Sequence, residues 1–161
     1  MKKNHTLLTG IVLSMTILLA GGFKPVTDND DPNGPQNLKK VEIYCKAYER
    51  NGVIHFEMYD SNNPTVVGDN ITTDVMPGAK VTWQWTSDSE IQEFVRIHPQ
   101  KAGPIMTGNA KKVPGTKKLQ IKVPKKAKIP SPPEKYDIVI KDKDGNDYPI
   151  DPYLRIPNLG N

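Results

Sequence analysis

The sequence predicts an all-β domain, an antiparallel Greek-key β-sandwich. Apolar and polar residues alternate with period 2 over much of the chain beyond residue 38, and no long stretch carries apolar residues at helical spacing. Asn51-Gly52, Pro77-Gly78 and Asp144-Gly145 punctuate these runs as turn signals. Roughly 120 residues remain once the N-terminal segments are set aside, a length that suits one domain.

The first element is an export signal. Met1-Lys2-Lys3 forms a charged start, and Leu7 to Ala20 is mostly apolar. A spanning helix needs about 20 apolar residues. This run is shorter and is interrupted by Thr9, Gly10, Ser14 and Thr16. Ala20 and Gly22 fit the −3 and −1 positions of a cleavage site before Phe23. Leu19-Ala20-Gly21 resembles the lead-in to a lipoprotein signal, but Gly22 stands where the lipid-bearing Cys is required. The expectation is a periplasmic or secreted product without a lipid anchor, and without a transmembrane segment once the signal is removed. Residues 23–38 follow as a linker rich in Pro, Asp and Asn, too polar to bury a core. The sandwich is placed at 39–157 and a short tail at 158–161.

Within the domain, Val41, Ile43, Cys45 and Ala47 alternate up to Asn51-Gly52, a two-residue hairpin turn in which both positions need positive φ. Pairing Arg50 with Val53 sets Ala47 opposite Phe56 and Cys45 opposite Met58. One face then collects Ile43, Cys45, Ala47, Ile54, Phe56 and Met58, so register and apolar pattern agree. After Pro77-Gly78, Lys80 to Thr86 is the next strand, with Val81, Trp83 and Trp85 on one side. Phe94 to Ile97, Lys118 to Val123, Tyr136 to Ile140 and Leu154 to Ile156 complete about seven strands. In the Lys118–Val123 strand, Leu119, Ile121 and Val123 point inward, while Lys118, Gln120 and Lys122 point outward.

Charge is unevenly spread. The full chain carries +4, and loss of Lys2 and Lys3 with the signal lowers this to +2. From Phe94 to Pro133 there is no Asp or Glu, while Lys111, Lys112, Lys117, Lys118, Lys122, Lys125, Lys126 and Lys128 crowd the stretch. These eight are the candidate binding residues, forming a patch for an anionic envelope partner: a lipid headgroup, an acidic glycan or an acidic protein. The competing reading is that lysines on an exposed strand discourage edge pairing and keep a small domain soluble. Nucleic acid is not expected, because no aromatic residues interleave these lysines and an exported protein seldom meets it.

Met76-Pro-Gly-Ala-Lys-Val-Thr-Trp-Gln-Trp85 resembles the P-G-x-x-V-x-W strand of the cupredoxins, and Tyr136-Asp-Ile-Val-Ile140 resembles their Y-x-Y-x-C strand. The resemblance covers roughly Met76 to Ile140 and implies a cupredoxin-like sandwich; an immunoglobulin-like strand order stays open. It also implies where copper ligands belong, and a blue-copper site needs two His, a Cys thiolate and usually a Met. Ile91 stands at the first His position and Ile140 at the Cys position, and no Cys, His or Met follows Met106. Copper transport is therefore not implied, and no cofactor or metal is expected. Cys45, the single cysteine, falls in the first hairpin as a small buried hydrophobe and can form no intrachain disulfide.

His55 and His98, the two histidines beyond the signal, read as isolated surface residues. Asp142, Asp144 and Asn146 match the first ligand positions of a calcium loop. Asp147 and Tyr153, however, stand where Gly and Glu are required, so an Asp-Gly turn accounts for them. There is no Gly-rich phosphate loop and no Gly-x-Ser-x-Gly elbow. The expectation is a non-catalytic interaction or structural module of the cell envelope, with a metal-handling protein of non-standard site as the alternative.

Overall fold

A computed structural model describes residues 38–128, 133–142 and 144–158. The expected signal peptide, and the linker and tail except for Leu38 and Asn158, lie outside the described residues. Leu38 itself belongs to the domain: it is buried, and its carbonyl accepts a hydrogen bond from the Met76 N–H at 3.0 Å.

The described residues form eleven strands in two sheets, with no helix. β1 (Lys40–Arg50) and β2 (Val53–Asp60) make the expected hairpin, with Arg50 opposite Val53, Ala47 opposite Phe56 and Cys45 opposite Met58. Asn51 and Gly52 sit at φ 53° and 77°, the two positive values this turn demands. β3 (Asn63–Gly68) pairs with β2 at an irregular edge. Its turn is held by Asp60, whose Oδ1 accepts the N–H groups of Asn62 and Asn63, each at 2.9 Å.

The chain then changes sheets. β4 (Thr72–Asp74) lies in the second sheet, and β5 (Lys80–Trp85) returns to the first. β4 escaped the sequence reading because the alternation of buried Ile71, Thr73 and Val75 has a polar residue at its centre. This excursion lets β5 run parallel to β1, Val81 beside Val41 and Trp83 beside Ile43. The other strands are β6 (Phe94–Pro99), β7 (Lys111–Lys112), β8 (Leu119–Lys122), β9 (Glu134–Lys141), β10 (Asp147–Ile150) and β11 (Tyr153–Arg155).

The first sheet has the order β3-β2-β1-β5-β8-β7. In the second, β9 pairs with β6 on one side and with β10 and then β11 on the other, and β4 runs parallel to β11. The all-β reading holds, but both sheets are mixed rather than purely antiparallel. Short β3, β4, β7 and β10 add to the strands read from sequence. Arg155 clamps β4 through a two-pronged contact with Asp74, Nε to Oδ1 at 2.7 Å and Nη2 to Oδ2 at 2.9 Å.

Between the sheets, Val41, Ile43, Cys45, Met58, Val81 and Trp83 of the first pack with Tyr136, Ile138, Ile140 and Leu154 of the second, all buried. The two segments that carry the cupredoxin resemblance meet here. The Trp83 indole N–H donates to the Tyr136 hydroxyl at 3.1 Å, and the rings meet edge to face with centroids 5.5 Å apart.

Candidate functional site

The two outer faces of the molecule differ in how their charges are matched. On the second sheet, side chains of β6, β9, β10 and the residue just after β10 pair off acid with base. Arg96 meets Asp147 at 3.4 Å, Lys141 meets Asp147 at 2.7 Å and Lys135 meets Asp151 at 2.8 Å. His98 lies 3.4 Å from Asp137, and the Gln100 amide donates to the same carboxylate at 2.7 Å. Lys141 and Arg96 hold the Asp147 carboxyl below its ordinary value, and Lys135 does the same for Asp151. Near the hairpin end of the first sheet the pattern continues, with Lys46 on Asp88 at 2.6 Å and Arg50 on Glu90 at 2.8 Å.

The lysines around β7 and β8 are different. Among the described residues, none of Lys80, Lys111, Lys112, Lys117, Lys118 and Lys122 has a carboxylate oxygen within 4.0 Å, and neither do Lys125, Lys126 and Lys128. The fold divides the eight sequence-predicted lysines into three groups. Lys111, Lys112 and Lys122 line a groove of about 580 Å³ along the β7 edge, with Thr107, Asn109 and Gln120. Lys117 and Lys118 border a separate hollow of about 200 Å³ beside Trp85 and Gln92, where the Lys117 ammonium lies 3.5 Å from the Gln92 amide oxygen. The turn joining β7 to β8 is shaped by Gly115, at φ 71°, and by Thr116, whose Oγ1 accepts the Lys118 N–H at 3.1 Å. Lys125, Lys126 and Lys128 follow β8 in a loop, and Lys125 lies against Gly78.

Strand register adds two lysines that sequence reading left out. Val81 opposite Ile121 and Trp83 opposite Leu119 turn Lys80, Thr82, Gln120 and Lys122 outward. Lys122 is then directly opposite Lys80, and the parallel pairing of β5 with β1 sets Lys80 beside Lys40. Three lysines thus cross three adjacent strands in one row, while Lys111 lies opposite Gln120 in the next. The alternation around Val81 signalled that Lys80 faces outward. Nothing in the sequence signalled its neighbours, which are about forty residues away along the chain on either side.

Neighbouring strands lie about 4.8 Å apart. Like charges directly opposite each other are unfavourable, and two ammonium groups about 5 Å apart in water repel by somewhat under 1 kcal/mol. The fold can carry that cost, and attraction to an anion lying across the row would offset it. Glu42, outward on β1 in the row next to Lys40, is the acid of this neighbourhood. It accepts from the Tyr44 hydroxyl at 2.9 Å and the Gln84 amide at 3.3 Å, and its Oε1 lies 3.4 Å from the Lys40 ammonium. The Tyr44 hydrogen bond, then Lys40 and Lys118, hold its carboxyl below the ordinary value. Lys40 is thereby compensated, and within these two rows the uncompensated ammonium groups among the described residues are those of Lys80, Lys122 and Lys111.

The groove also has a fixed wall. Glu134, a buried carboxylate at the start of β9, accepts the backbone N–H groups of Ile105 at 2.8 Å and Met106 at 2.7 Å. Those two residues line the groove. Gly103 makes the approach feasible, since a Cβ there would overlap the Glu134 carboxylate.

The positions that the cupredoxin resemblance assigns to copper ligands hold packed side chains. Ile140 is fully buried and Ile91 is half-buried against the core. Cys45 is fully buried on β1, and burial pushes its thiol pKa well above the ordinary value. His55 stacks on Tyr48 at the first sheet, centroids 5.2 Å apart, whereas His98 belongs to the second sheet. Asp142 closes the Asp144-Gly145 turn, accepting the Asn146 N–H at 2.7 Å with Gly145 at φ 84°. No family model matches this chain, and a search of curated proteins likewise finds no match.

Proposed function

We propose that this chain is an exported, non-catalytic interaction module of the cell envelope that docks an anionic component through the β7–β8 side of its first sheet. The observation that supports the reading is the contrast in charge matching. Bases on the second sheet and at the hairpin end have carboxylates beside them, whereas the lysines of β5, β7 and β8 have none among the described residues. A face whose positive charges are left uncompensated projects its field into solvent and raises the local concentration of anions. Export rests on the N-terminal pattern, and the intact mass of protein recovered outside the cytoplasm is expected to begin at Phe23.

The docking reading is tested by measuring binding to a panel of envelope anions, both vesicles and acidic polysaccharide, at low and at physiological salt. Binding is expected to weaken as the Debye length falls to about 8 Å. It should also weaken when Lys117, Lys118 and Lys122 are replaced by Gln, with thermal unfolding unchanged. Absence of binding to every anion at low salt would leave the lysines as a solubility device.

A further inference from the structure

We propose that the occupant of this face is an extended acidic polysaccharide with one carboxylate per sugar, laid across the strands along the row Lys122, Lys80 and Lys40. This deepens the anionic-docking reading and rests on it.

The spacing comes first. Lys122 is opposite Lys80, and Lys80 is beside Lys40, so the row advances one lysine per strand. Strands are about 4.8 Å apart. An extended polyuronate advances by a comparable step per sugar with its carboxylates turned to alternate sides of the chain, and the flexible four-carbon stem of each lysine can reach either side of the polymer axis.

The side chains between the lysines come second. Thr82 and Gln120 face outward in the adjacent row, and Gln84 lies beyond them on β5. These hydroxyl and amide groups both donate and accept hydrogen bonds, which suits sugar hydroxyls. A membrane surface would call for apolar side chains that insert beside the charges. Among the described residues, the exposed large hydrophobics, Val53, Val66, Val67, Val95 and Tyr148, lie on β2, β3, β6 and β10 instead.

Direction comes third. At the β1 end, Glu42 compensates Lys40. At the other end, Lys122 forms the corner between the row and the 580 Å³ groove, which Lys111 and Lys112 also line. The polymer is therefore held most strongly from Lys80 towards the β7 edge, with the groove taking the sugar beyond Lys122.

The test is titration calorimetry of the full chain with oligogalacturonates of one, two, three and six sugars. Parallel arms use uncharged oligosaccharides of equal length and phosphatidylglycerol vesicles. Affinity is expected to climb steeply from one sugar to three and little thereafter. Lys80→Gln should weaken trimer binding roughly threefold, and Lys80→Gln with Lys122→Gln roughly tenfold, as expected for exposed charge pairs. Lys101→Gln with Lys135→Gln removes the same charge from the side of the second sheet and should cost under about twofold. Equal losses in the two double variants, or affinity independent of length, would overturn the row. Binding to vesicles without binding to oligogalacturonates would overturn the glycan and leave the anionic reading standing. Binding to neither would overturn both.

Discussion

Replacing Glu134 by Ala removes the acceptor for two backbone N–H groups that have no access to water. Ile105 and Met106 are 0% and 1% exposed, and their bonds to Glu134 are 2.8 Å and 2.7 Å long. Hydrogen bonds to a charged group contribute about 1.5–3 kcal/mol each, and a buried donor left unmatched costs its desolvation. Glu134→Ala should therefore destabilise the domain by about 3–5 kcal/mol, a large part of the roughly 5–15 kcal/mol typical of a domain. Gly103→Ala acts on the same contact from the other side. Its Cβ would displace the carboxylate, at a cost approaching loss of the same two bonds, roughly 2–4 kcal/mol. The two changes should not add, because the three atoms nearest the new methyl all belong to the carboxylate that Glu134→Ala removes. The double variant is expected to match Glu134→Ala within about 0.5 kcal/mol. Urea unfolding of all four proteins measures this, with each shift read from the midpoint at constant slope. Additive costs would refute the placement of Gly103 against Glu134. A cost below about 1 kcal/mol for Glu134→Ala would refute its role in holding the groove wall.

Tyr136→Phe removes the acceptor of the Trp83 indole N–H in the centre of the core. It should cost about 1–3 kcal/mol in the same urea assay, and an unchanged midpoint would mean the bond contributes nothing. Gly52→Ala places a Cβ at φ 77° in the first hairpin and should cost about 1–2 kcal/mol through left-handed strain alone, since no neighbour crowds the site. Burial raises the pKa of both the Cys45 thiol and the Tyr136 phenol. The unfolded chain therefore releases these protons first, near the ordinary values of 9.0 and 10.0, while the folded chain retains them. Stability is fully present below pH 9 and should fall above it, by up to about 1.4 kcal/mol per pH unit for each group. A pH series of unfolding midpoints checks this, and Cys45→Ala should delay the onset to the tyrosine range.

Much of the first sheet was legible because its signals are local. The Asn51-Gly52 turn fixes hairpin register through backbone φ, and alternation then assigns each side chain of β1 and β2 to a face. β8 and β9 were legible for the same reason. β4 was missed because Thr73 interrupts the apolar alternation while remaining buried. β7 was missed because two consecutive lysines look like loop. Of the candidate site, the eight lysines stood out by composition, yet the fold splits them into three groups and adds Lys80 and Lys40.

The sequence by itself determined the all-β character, the first hairpin with its register, and a run of lysines without acidic neighbours along the chain. These follow from period, turn chemistry and composition, which act over a few residues. Only the tertiary structure decided that β1 and β5 run parallel, that Glu134 reaches back to Ile105 and Met106, and that Lys40, Lys80 and Lys122 form one row. Each depends on pairing between segments far apart in the chain. Such pairing is selected by how the two sheets bury Trp83, Tyr136 and their neighbours together, and it leaves no mark at any single position.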